Sequence, residues 1–430
     1  MSAQSLLGDQ ECEKKKIIPL PFRSMTLLTQ YYHPEPGAAS IRLRALVSEL
    51  TKRGVKIRVI TGMPNYPEGR FHPGFGKRLW QHDAIDGVPV LRLWLYPAAG
   101  RRPLRRILNY ISFTCMAFFA MMTQKLGDVV FVEAQPITLA LPAWFASLFR
   151  RTPYIYNTPD LQVEYAKEGR WGIGALLSRW AASLEAFLMR KSVSVSTVTH
   201  GFMRYFAENR SGIAQRLTFL PNGVDPEIFR PLPYDIAMAK EVQAEHKKVF
   251  VYSGVLASYH GVNVLIDAAI RLRNDSEILI VINGMGPERQ ALESRVLQES
   301  LTNVHFSDYP AHELSRLMSI AEAGLATMAS HEVTKLMRLA KILPYSATGK
   351  PVVFAGWGES ADLIVANGSG IVSPPGDDVA FAASIKELAY DGEHTKRMGR
   401  SAREAVIKKY QWSQIIDAWL LQLRPLFTKH

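Results

Sequence analysis

Two positions combine residue types suited to binding with places where an α/β protein holds its ligands. Gly37 lies in a Pro/Gly-rich loop, residues 31–40, between an apolar run and an amphipathic segment. A glycine there lets the backbone approach a phosphate or sugar, at the point where the next helix directs its N–H groups. Asp160 follows the apolar run 154–157, where its carboxylate could contact a substrate. A plain turn glycine and a helix N-cap remain open as alternative interpretations.

The segments around these positions alternate between short apolar runs and amphipathic stretches. Residues 25–30 predict a strand, residues 41–53 a helix, and residues 55–61 the next strand. This order is a βαβ unit, in which ligands bind at the carboxyl ends of the parallel strands. Because no GxGxxG motif follows the first strand, a standard dinucleotide-binding fingerprint is absent.

The same alternation restarts in the second half of the chain. Residues 249–253 and 278–283 predict strands, and a glycine-containing loop follows each of them. Residues 335–347 predict a helix that ends at Gly349, before a buried strand over residues 352–355. The sequence therefore predicts an α/β protein with two consecutive doubly wound parallel sheets.

A length of 430 residues is too great for one hydrophobic core and indicates two domains. We expect a disordered polar tail over residues 1–24, which lacks the apolar run of a signal peptide. A first domain should cover residues 25–225 and a linker residues 226–248. A second domain should cover residues 249–410, before a helix over residues 411–430 that packs back on the first domain.

The composition is globular, with 47% hydrophobic and 21% charged residues, and carries an excess of positive charge. Two cysteines, Cys12 and Cys115, without a CxxC or Cys/His cluster, argue against a disulfide framework or a structural zinc site. The net charge of +12 indicates an anionic partner such as nucleic acid, anionic lipid or a phosphorylated ligand. Nucleic acid is disfavoured because the basic residues are dispersed and no nucleic-acid-binding motif is present.

A basic cluster precedes a long uncharged run. Arg101, Arg102, Arg105 and Arg106 stand before residues 107–123, ILNYISFTCMAFFAMMT. This run reaches only the lower limit of a bilayer span, for which about 20 residues are usual. Three interpretations stay open: a buried core helix, an interfacial helix on anionic lipid, and, least favoured, a true span, which would split the α/β domain. The arginines beside apolar residues favour peripheral contact with an anionic membrane surface.

Five motifs occur in the order and with the spacing of a known enzyme family. They are LPNGVDPEIFRP at 220–231, GVLASYHGVNVLIDAA at 254–269, INGMGPERQAL at 282–292, AKILPYSATGKPVV at 340–353 and GSGIVSPPGD at 368–377. With YYHPEPGAASIRLRALVSEL, MPNYPEGR and GVPVLRLW in the first half, the chain resembles the retaining family 4 glycosyltransferases, in particular their bacterial exopolysaccharide, colanic-acid-type branch. The resemblance covers about residues 25–419 and implies the GT-B architecture, two Rossmann-like domains facing across a cleft.

The resemblance implies a nucleotide-sugar donor, most simply UDP-linked, held mainly by the second domain without a metal ion. It also implies an acceptor held by the first domain. The basic, apolar segment favours a lipid-linked acceptor over a free saccharide, and this segment with only two cysteines predicts a cytoplasmic position on the inner face of the plasma membrane. Helix N-termini and cationic side chains can stabilise the departing diphosphate. The residues expected to bind the donor are Gly37, Gly254, His260, Gly261, Gly284, Gly286, Lys341 and Glu359. In such enzymes the leaving phosphate can take the acceptor proton, so His33, Glu133 and Asp160 are candidates for contacting or orienting substrates.

Two donor-site features depart from the pattern that the family implies. An arginine and a lysine often stand near the diphosphate, where this chain has Val255 and His260, so we expect His260 or Lys341 to supply the positive charge. The family's paired glutamates are replaced by Leu336 and Pro344, and the second of them would hold the ribose. Two interpretations follow: an active enzyme that holds the ribose by other groups, and a catalytically altered partner or scaffold protein.

Overall fold

The structure, a computed structural model, describes residues 19–35, 37–66, 68–98, 103–167 and 175–428. Within these residues the chain forms two sheets, one of eight strands and one of six, so the predicted α/β fold is confirmed. The strands are β1 Ser24–Leu28, β2 Lys56–Gly62, β3 Trp80–Ile85, β4 Val88–Leu93, β5 Val129–Glu133, β6 Tyr154–Thr158, β7 Ser194–Thr197, β8 Leu217–Phe219, β9 Lys248–Ser253, β10 Ile278–Asn283, β11 Val304–Ser307, β12 Ala321–Thr327, β13 Val352–Ala355 and β14 Gly370–Ser373.

Both sheets are parallel apart from one edge. The first has the order β3-β4-β2-β1-β5-β6-β7-β8, with β3 antiparallel to β4, and the second has the order β11-β10-β9-β12-β13-β14. Central strands such as β5 (VVFVE) and β10 (ILIVIN) are buried throughout, as parallel strands covered on both faces should be. Strand β3 (WQHDAI) alternates between exposed and half-buried residues, so it lacks the apolar run by which strands such as β1 and β10 were predicted.

Helices connect the strands and cover both faces of each sheet. They are α1 Ala38–Lys52, α2 Pro103–Thr123, α3 Ala140–Phe149, α4 Gln162–Lys167, α5 Ala175–Lys191, α6 His200–Asn209, α7 Ile236–Glu241, α8 Asn263–Arg271, α9 Arg289–Gln298, α10 Leu314–Ser319, α11 Ile342–Ala347, α12 Glu359–Ala366, α13 Asp378–Tyr390, α14 Gly392–Lys409 and α15 Trp412–Phe427. On the first sheet, α1 and α15 cover one face, and α2, α3, α5 and α6 cover the other. On the second sheet, α8, α9 and α13 lie opposite α7, α10, α11 and α12. We call each sheet with its covering helices a domain.

The chain crosses between the domains at two adjacent places. It leaves the first domain after β8 and returns between α14 and α15, and the two crossings are joined where the Val224 amide donates to the Tyr410 carbonyl at 2.9 Å. Helix α15 then packs on the first sheet. The Trp419 ring lies 5.8 Å from that of Phe131, and its indole N–H donates to Ser196 Oγ at 2.9 Å. The last helix of the chain is therefore part of the first domain.

The helix predicted over residues 335–347 is wrong in its first half. A 3-10 turn spans Glu332–Leu336, Met337 is extended, and α11 begins only at Ile342. A continuous helix would need Pro344 to donate a hydrogen bond to the Ala340 carbonyl, and proline has no N–H to give. Residues 337–341, between the turn and α11, therefore lie outside both helices.

The first domain includes residues that precede the expected start at residue 25. Phe22 is buried, with its ring 5.6 Å from that of Phe427, and Ser24 starts β1. The tail expected over residues 1–24 therefore does not reach these positions, because Phe22 completes the apolar contact between β1 and α15. Residues 1–18 of that tail lie outside the described residues, as do Arg101 and Arg102.

Candidate active site

A cavity of about 600 Å³ lies between the two domains, lined by loops at the carboxyl ends of strands from both sheets. The first domain contributes Asp160 after β6 and Thr199 after β7. The second domain contributes Tyr259 and His260 after β9, and Arg338 after β12. We call this cavity the cleft. Open α/β sheets bind ligands at this edge, so the cleft is the candidate active site.

The predicted glycines of the second domain meet at the edge of the cleft, where loops pack too closely for side chains. A Cβ on Gly284 would lie 2.0 Å from the Gly254 carbonyl oxygen, and one on Gly286 would lie 2.2 Å from the Leu256 carbonyl oxygen. Gly261 has a φ of 63°, and a Cβ there would lie 3.0 Å from the backbone that follows β12. Glycine is required here because the loops after β9, β10 and β12 pack backbone against backbone.

Lys341 places its amine beside these glycines. The Nζ atom lies 3.7 Å from the centre of the Tyr252 ring and would be 2.7 Å from a Cβ on Gly254. It is buried, and among the described residues no atom accepts a hydrogen bond from it. Because burial disfavours the charged amine, the pKa of Lys341 is lowered to about 7. An amine that lacks a counter-charge at this edge is suited to receive an anionic ligand.

Arg338 is a second cation of the same segment, and it was not among the residues predicted from the sequence to bind the donor. Its side chain is 1% exposed, and its guanidinium carbon lies 4.6 Å from the centre of the Tyr410 ring. One nitrogen donates to the Asn222 carbonyl at 3.3 Å, while Nε and Nη1 have no hydrogen-bond partner in the described part of the chain. The available signal was an arginine within an otherwise apolar stretch, close before Lys341.

His260 and Glu359 hold different positions around the cleft. The ring of His260 lies 4.2 Å from that of Tyr259 at the wall of the cleft. Glu359 begins α12, and its carboxylate reaches the first domain, where it accepts the N–H groups of His200 at 2.8 Å and Gly201 at 3.3 Å. The Glu359 carboxylate therefore binds the N-terminus of α6, across the boundary between the domains.

A second cavity, of about 260 Å³, continues the cleft into the first domain. Arg106 and Asp160 line both cavities, and Gly37 lies on the wall of the second. The structure thus places Gly37 and Asp160 in the wall of one cavity. Tyr31 and Tyr66 add an aromatic wall, with their rings 6.1 Å apart. We call this cavity the first-domain pocket. Aromatic faces beside charged groups suit a sugar or a sugar phosphate.

Glu35 is a carboxylate of this pocket that the sequence analysis did not select. Its Oε1 accepts the backbone N–H groups of Asn65 at 2.9 Å and Tyr66 at 3.0 Å. Burial raises the pKa of Glu35 despite these bonds.

In the described part of the chain, no group of three His, Cys, Asp or Glu side chains is placed to hold a metal ion.

Glu133 and His33 lie outside both cavities. The Glu133 carboxylate is buried and pairs with Arg42 Nη2 at 2.5 and 2.6 Å, while Asn157 Nδ2 donates to it at 2.5 Å. These contacts occupy both carboxylate oxygens inside the first domain. The carbonyl of His33 accepts a hydrogen bond from Arg92 at 2.7 Å. Burial and nearby arginines lower the pKa of the His33 ring.

Helix α2 has one core face and one exposed apolar face. Phe113 and Met121 are fully buried, and Ala117 packs with them in the first core. The exposed apolar side chains are Leu104, Ile107, Leu108, Ile111, Phe118 and Phe119. Of the three interpretations of this segment, core packing therefore holds for one face. No helix in the described ranges is long and apolar enough to cross a membrane.

Comparisons with known proteins match both domains. A family profile described as the glycosyl transferase 4-like domain matches residues 37–223, and one described as glycosyl transferases group 1 matches residues 234–405. A similar curated protein is the putative colanic acid biosynthesis glycosyl transferase WcaI of Escherichia coli, which is 25% identical over 68% of this chain and 73% of its own length. Glycogen synthase of Mycobacterium tuberculosis is 27% identical over 61% of this chain and 62% of its own length.

Solved structures share the two-domain fold. Sucrose-phosphate synthase from Thermosynechococcus elongatus superposes with a TM-score of 0.73 at 16% identity, covering 95% of this chain and 98% of that one. HepE from Anabaena, solved in complex with UDP and glucose, superposes with a TM-score of 0.68 at 18% identity and the same coverage. At these identities the likeness shows the fold alone. With both domains matched in sequence and in fold, this chain belongs to the family 4 glycosyltransferases and has the GT-B architecture.

Proposed function

We propose that the chain transfers a hexosyl or N-acetylhexosaminyl unit from a UDP-sugar, with retention of configuration and without a metal ion, during polysaccharide synthesis. The observation that carries this proposal is the position of two basic groups of the second domain: Arg338, which lines the cleft, and the buried amine of Lys341, which lies beside Gly254. Similarity to a putative colanic acid glycosyl transferase and to a fold solved with UDP and glucose supports the pathway and the nucleotide.

Lys341 and Arg338 are the proposed partners of the donor diphosphate. When the sugar leaves, negative charge grows on the diphosphate, and cations fixed in a water-poor site stabilise it more than cations in water. Among the described residues, no atom accepts a hydrogen bond from Lys341 Nζ or from Arg338 Nε and Nη1, and a diphosphate would supply these acceptors. They therefore compensate for Val255, which stands where relatives often have a cationic residue.

The proposed reaction breaks the bond between the anomeric carbon and the diphosphate oxygen and forms a bond from that carbon to the acceptor hydroxyl oxygen. The acceptor proton passes to the leaving phosphate, so no protein nucleophile takes part. Protein groups contribute by holding charge and by positioning the acceptor. His260 and Asp160, which line the cleft from opposite domains, are proposed to contact the substrates there.

The first-domain pocket is the proposed acceptor site. Arg106 donates to the Tyr110 hydroxyl at 2.7 Å, and both residues line the pocket. The next residues of the same helix, Ile107 and Leu108, are exposed, so a polar pocket wall and an apolar surface meet on α2. This arrangement suits an acceptor with a phosphate-bearing sugar at one end and a lipid at the other. A free saccharide would use the pocket alone.

The exposed face of α2 is the proposed contact with an anionic membrane on the cytoplasmic side. Leu148 and Phe149 at the end of α3 are also exposed, and Arg150 and Arg151 follow them directly. Apolar side chains next to arginines are typical of peripheral segments that enter the headgroup region.

The remaining alternative, a catalytically altered partner or scaffold, is motivated by Pro344 in place of the ribose-binding glutamate.

Calorimetric titration with UDP, GDP and ADP, and with their sugars, tests the donor site in metal-free buffer. We expect saturable binding of UDP and a UDP-sugar by the wild-type protein. Binding of GDP or ADP alone would refute the UDP assignment. Failure of every nucleotide to bind a folded protein would favour the scaffold alternative.

Sedimentation with vesicles that contain anionic lipid tests the membrane contact. The triple variant Ile107→Ser/Leu108→Ser/Ile111→Ser removes apolar side chains that are 41%, 51% and 52% exposed. Its matched control is Leu297→Ser/Val365→Ser, which removes exposed apolar side chains from the second domain. We expect only the triple variant to lose vesicle binding. Equal binding by the triple variant and the wild type would refute the role of α2.

A further inference from the structure

The second domain carries another cavity, of about 620 Å³, at the edge of its sheet opposite the cleft. Its wall includes Thr348, Gly349 and Lys350, which precede β13 and so lie at the amino ends of the parallel strands. The remaining wall comes mainly from α14 and from the segment that enters α7. Nothing in the proposed transfer reaction uses these residues. We call this cavity the hinge cavity.

Four basic side chains and one acidic side chain line the hinge cavity. The basic residues are Lys350, Arg400, Arg403 and Lys408, and the acidic one is Glu404. No ion pair joins any of the four basic residues to a carboxylate within the ranges that the structure describes. Lys350 is held in place by donating to the Ala321 carbonyl at 2.5 Å, and Arg403 by donating to the Ala347 carbonyl. Basic side chains therefore outnumber acidic ones by four to one in the cavity wall; Lys350 and Arg403 are held by backbone carbonyls, whereas Arg400 and Lys408 are exposed.

The spacing of the charges indicates the class of ligand. Arg400 and Lys408 stand eight residues apart on α14, which is about 12 Å along a helix axis. Pro231 and Leu232 supply an apolar surface, and Ser315 supplies a hydroxyl group. Two separated anionic groups on a compact body match this arrangement better than a single phosphate does.

The position of the hinge cavity links it to both crossings between the domains. Leu232 belongs to the segment that leaves the first domain, and Gln414 belongs to α15, which returns to it. The two crossings are joined by the hydrogen bond from Val224 to Tyr410. A ligand in the cavity would contact both segments at once and would favour the domain arrangement to which it binds more tightly.

We propose that the hinge cavity binds a small sugar carrying two phosphate groups and that its occupancy changes the affinity of the cleft for the donor. Binding to the cavity is independent of the proposed transferase activity. The effect on the donor rests on the proposed function. The two parts therefore have separate measurements.

Calorimetry with fructose 1,6-bisphosphate as the probe tests the binding, using the full chain with its donor site saturated by UDP. The variant Arg400→Gln/Lys408→Gln removes two charges from the cavity wall. Its control, Arg397→Gln/Lys409→Gln, removes the same residue types from exposed positions of α14 outside the wall. We expect saturable binding that weakens by at least roughly tenfold in the first variant and is unchanged in the control.

Two results would overturn the site: no saturable binding by the wild type at millimolar probe, or an equal loss in both variants, which would indicate diffuse attraction to a basic surface.

The regulatory part is tested by the Kd for UDP with and without the probe. We expect the Kd to change in the wild type and the control but not in Arg400→Gln/Lys408→Gln. If the Kd for UDP is unchanged in a protein that binds the probe, regulation is refuted, but the binding site in the hinge cavity stands. Absence of UDP binding would count against the donor assignment and not against the hinge cavity, whose probe titration can then be repeated without nucleotide.

Discussion

The carboxylate of Glu359 in the second domain accepts the backbone N–H of His200 in the first domain at 2.8 Å. His200 begins α6, so the negative charge lies at the N-terminus of a ten-residue helix, where the helix dipole favours it. Beside this contact, Thr199 Oγ1 donates to the Leu336 carbonyl at 2.8 Å. The other Glu359 oxygen lies 3.7 Å from Arg338 Nη1. The wall of the cleft is thus also a contact between the domains.

Replacing Glu359 with alanine should loosen the arrangement of the two domains. The variant loses hydrogen bonds to a charged acceptor, which contribute about 1.5–3 kcal/mol each in favourable settings. We expect a larger radius of gyration for the ligand-free protein in small-angle X-ray scattering. The control is Glu332→Ala, which removes a carboxylate that is 81% exposed. Identical scattering from Glu359→Ala and the wild type would contradict this role of the contact.

Lys341→Met should weaken donor binding without destabilising the fold. The proposed bond between a cation and the diphosphate is lost, which raises the Kd by roughly tenfold to a hundredfold. The free energy of unfolding should stay equal or rise, because a buried amine without a partner is replaced by an apolar side chain. Calorimetry and urea unfolding measure the two effects. In the control Lys335→Met the lost amine is exposed and pairs with Glu332. Equal donor affinity in Lys341→Met and the wild type would exclude Lys341 from the site.

Donor affinity should fall as the pH rises above about 7, the lowered pKa of Lys341. Below this pH the Lys341 amine is charged and can pair with the diphosphate. Above this pH the amine is neutral, so binding of the diphosphate requires that it first take up a proton. The Kd should therefore rise by about tenfold per pH unit until the pKa of the complex is reached. The neighbouring Tyr252 does not titrate in this range because burial raises its pKa further. Lys341→Arg, whose side chain stays charged, should give a flat profile, and a flat wild-type profile would contradict the prediction.

Glu133→Gln should destabilise the first domain, because it leaves the buried Arg42 without its counter-charge. Breaking one side of a buried ion pair costs about 3–5 kcal/mol. The double variant Glu133→Gln/Arg42→Met should recover much of this loss, since no unpaired charge remains. Urea unfolding of the three proteins measures the differences. A Glu133→Gln protein of normal stability but without transferase activity would instead support a role in orienting the acceptor.

Local patterns predicted elements that have a continuous apolar run or a clear helical period, and the failures have local causes. Helix α1 was expected over residues 41–53 and spans Ala38–Lys52, because its apolar spacing and the following glycine mark it clearly. Helix α6 was missed because HGFMRYFAEN directly follows a β-rich run. Its start depends on Thr199, whose side chain accepts the Phe202 amide. Within the candidate site, Gly37 and Asp160 were each selected from the sequence because they follow predicted parallel strands, and only the structure shows that they line one cavity.

The roles of charged residues were less predictable than the elements that carry them. Glu133, a candidate for acceptor binding, pairs with Arg42 across 91 positions of the chain. Glu359, a candidate for donor binding, contacts His200 across 159 positions. Arg338 was overlooked because its burial depends on Tyr410 and Asn222 from distant parts of the chain. In each case the partner that decides the role is absent from the local sequence.

By itself, the sequence determined that two α/β domains follow each other and that glycine-containing loops stand at the carboxyl ends of strands. Hydrophobic periodicity and backbone preferences are properties of neighbouring residues, so they can be read without the fold. Only the tertiary structure decided that Lys341 Nζ has no hydrogen-bond partner among the described residues, while Glu133 is already paired with Arg42. Solvation and pairing of a charge depend on every group that folding places around it, and most of those groups are distant in the chain.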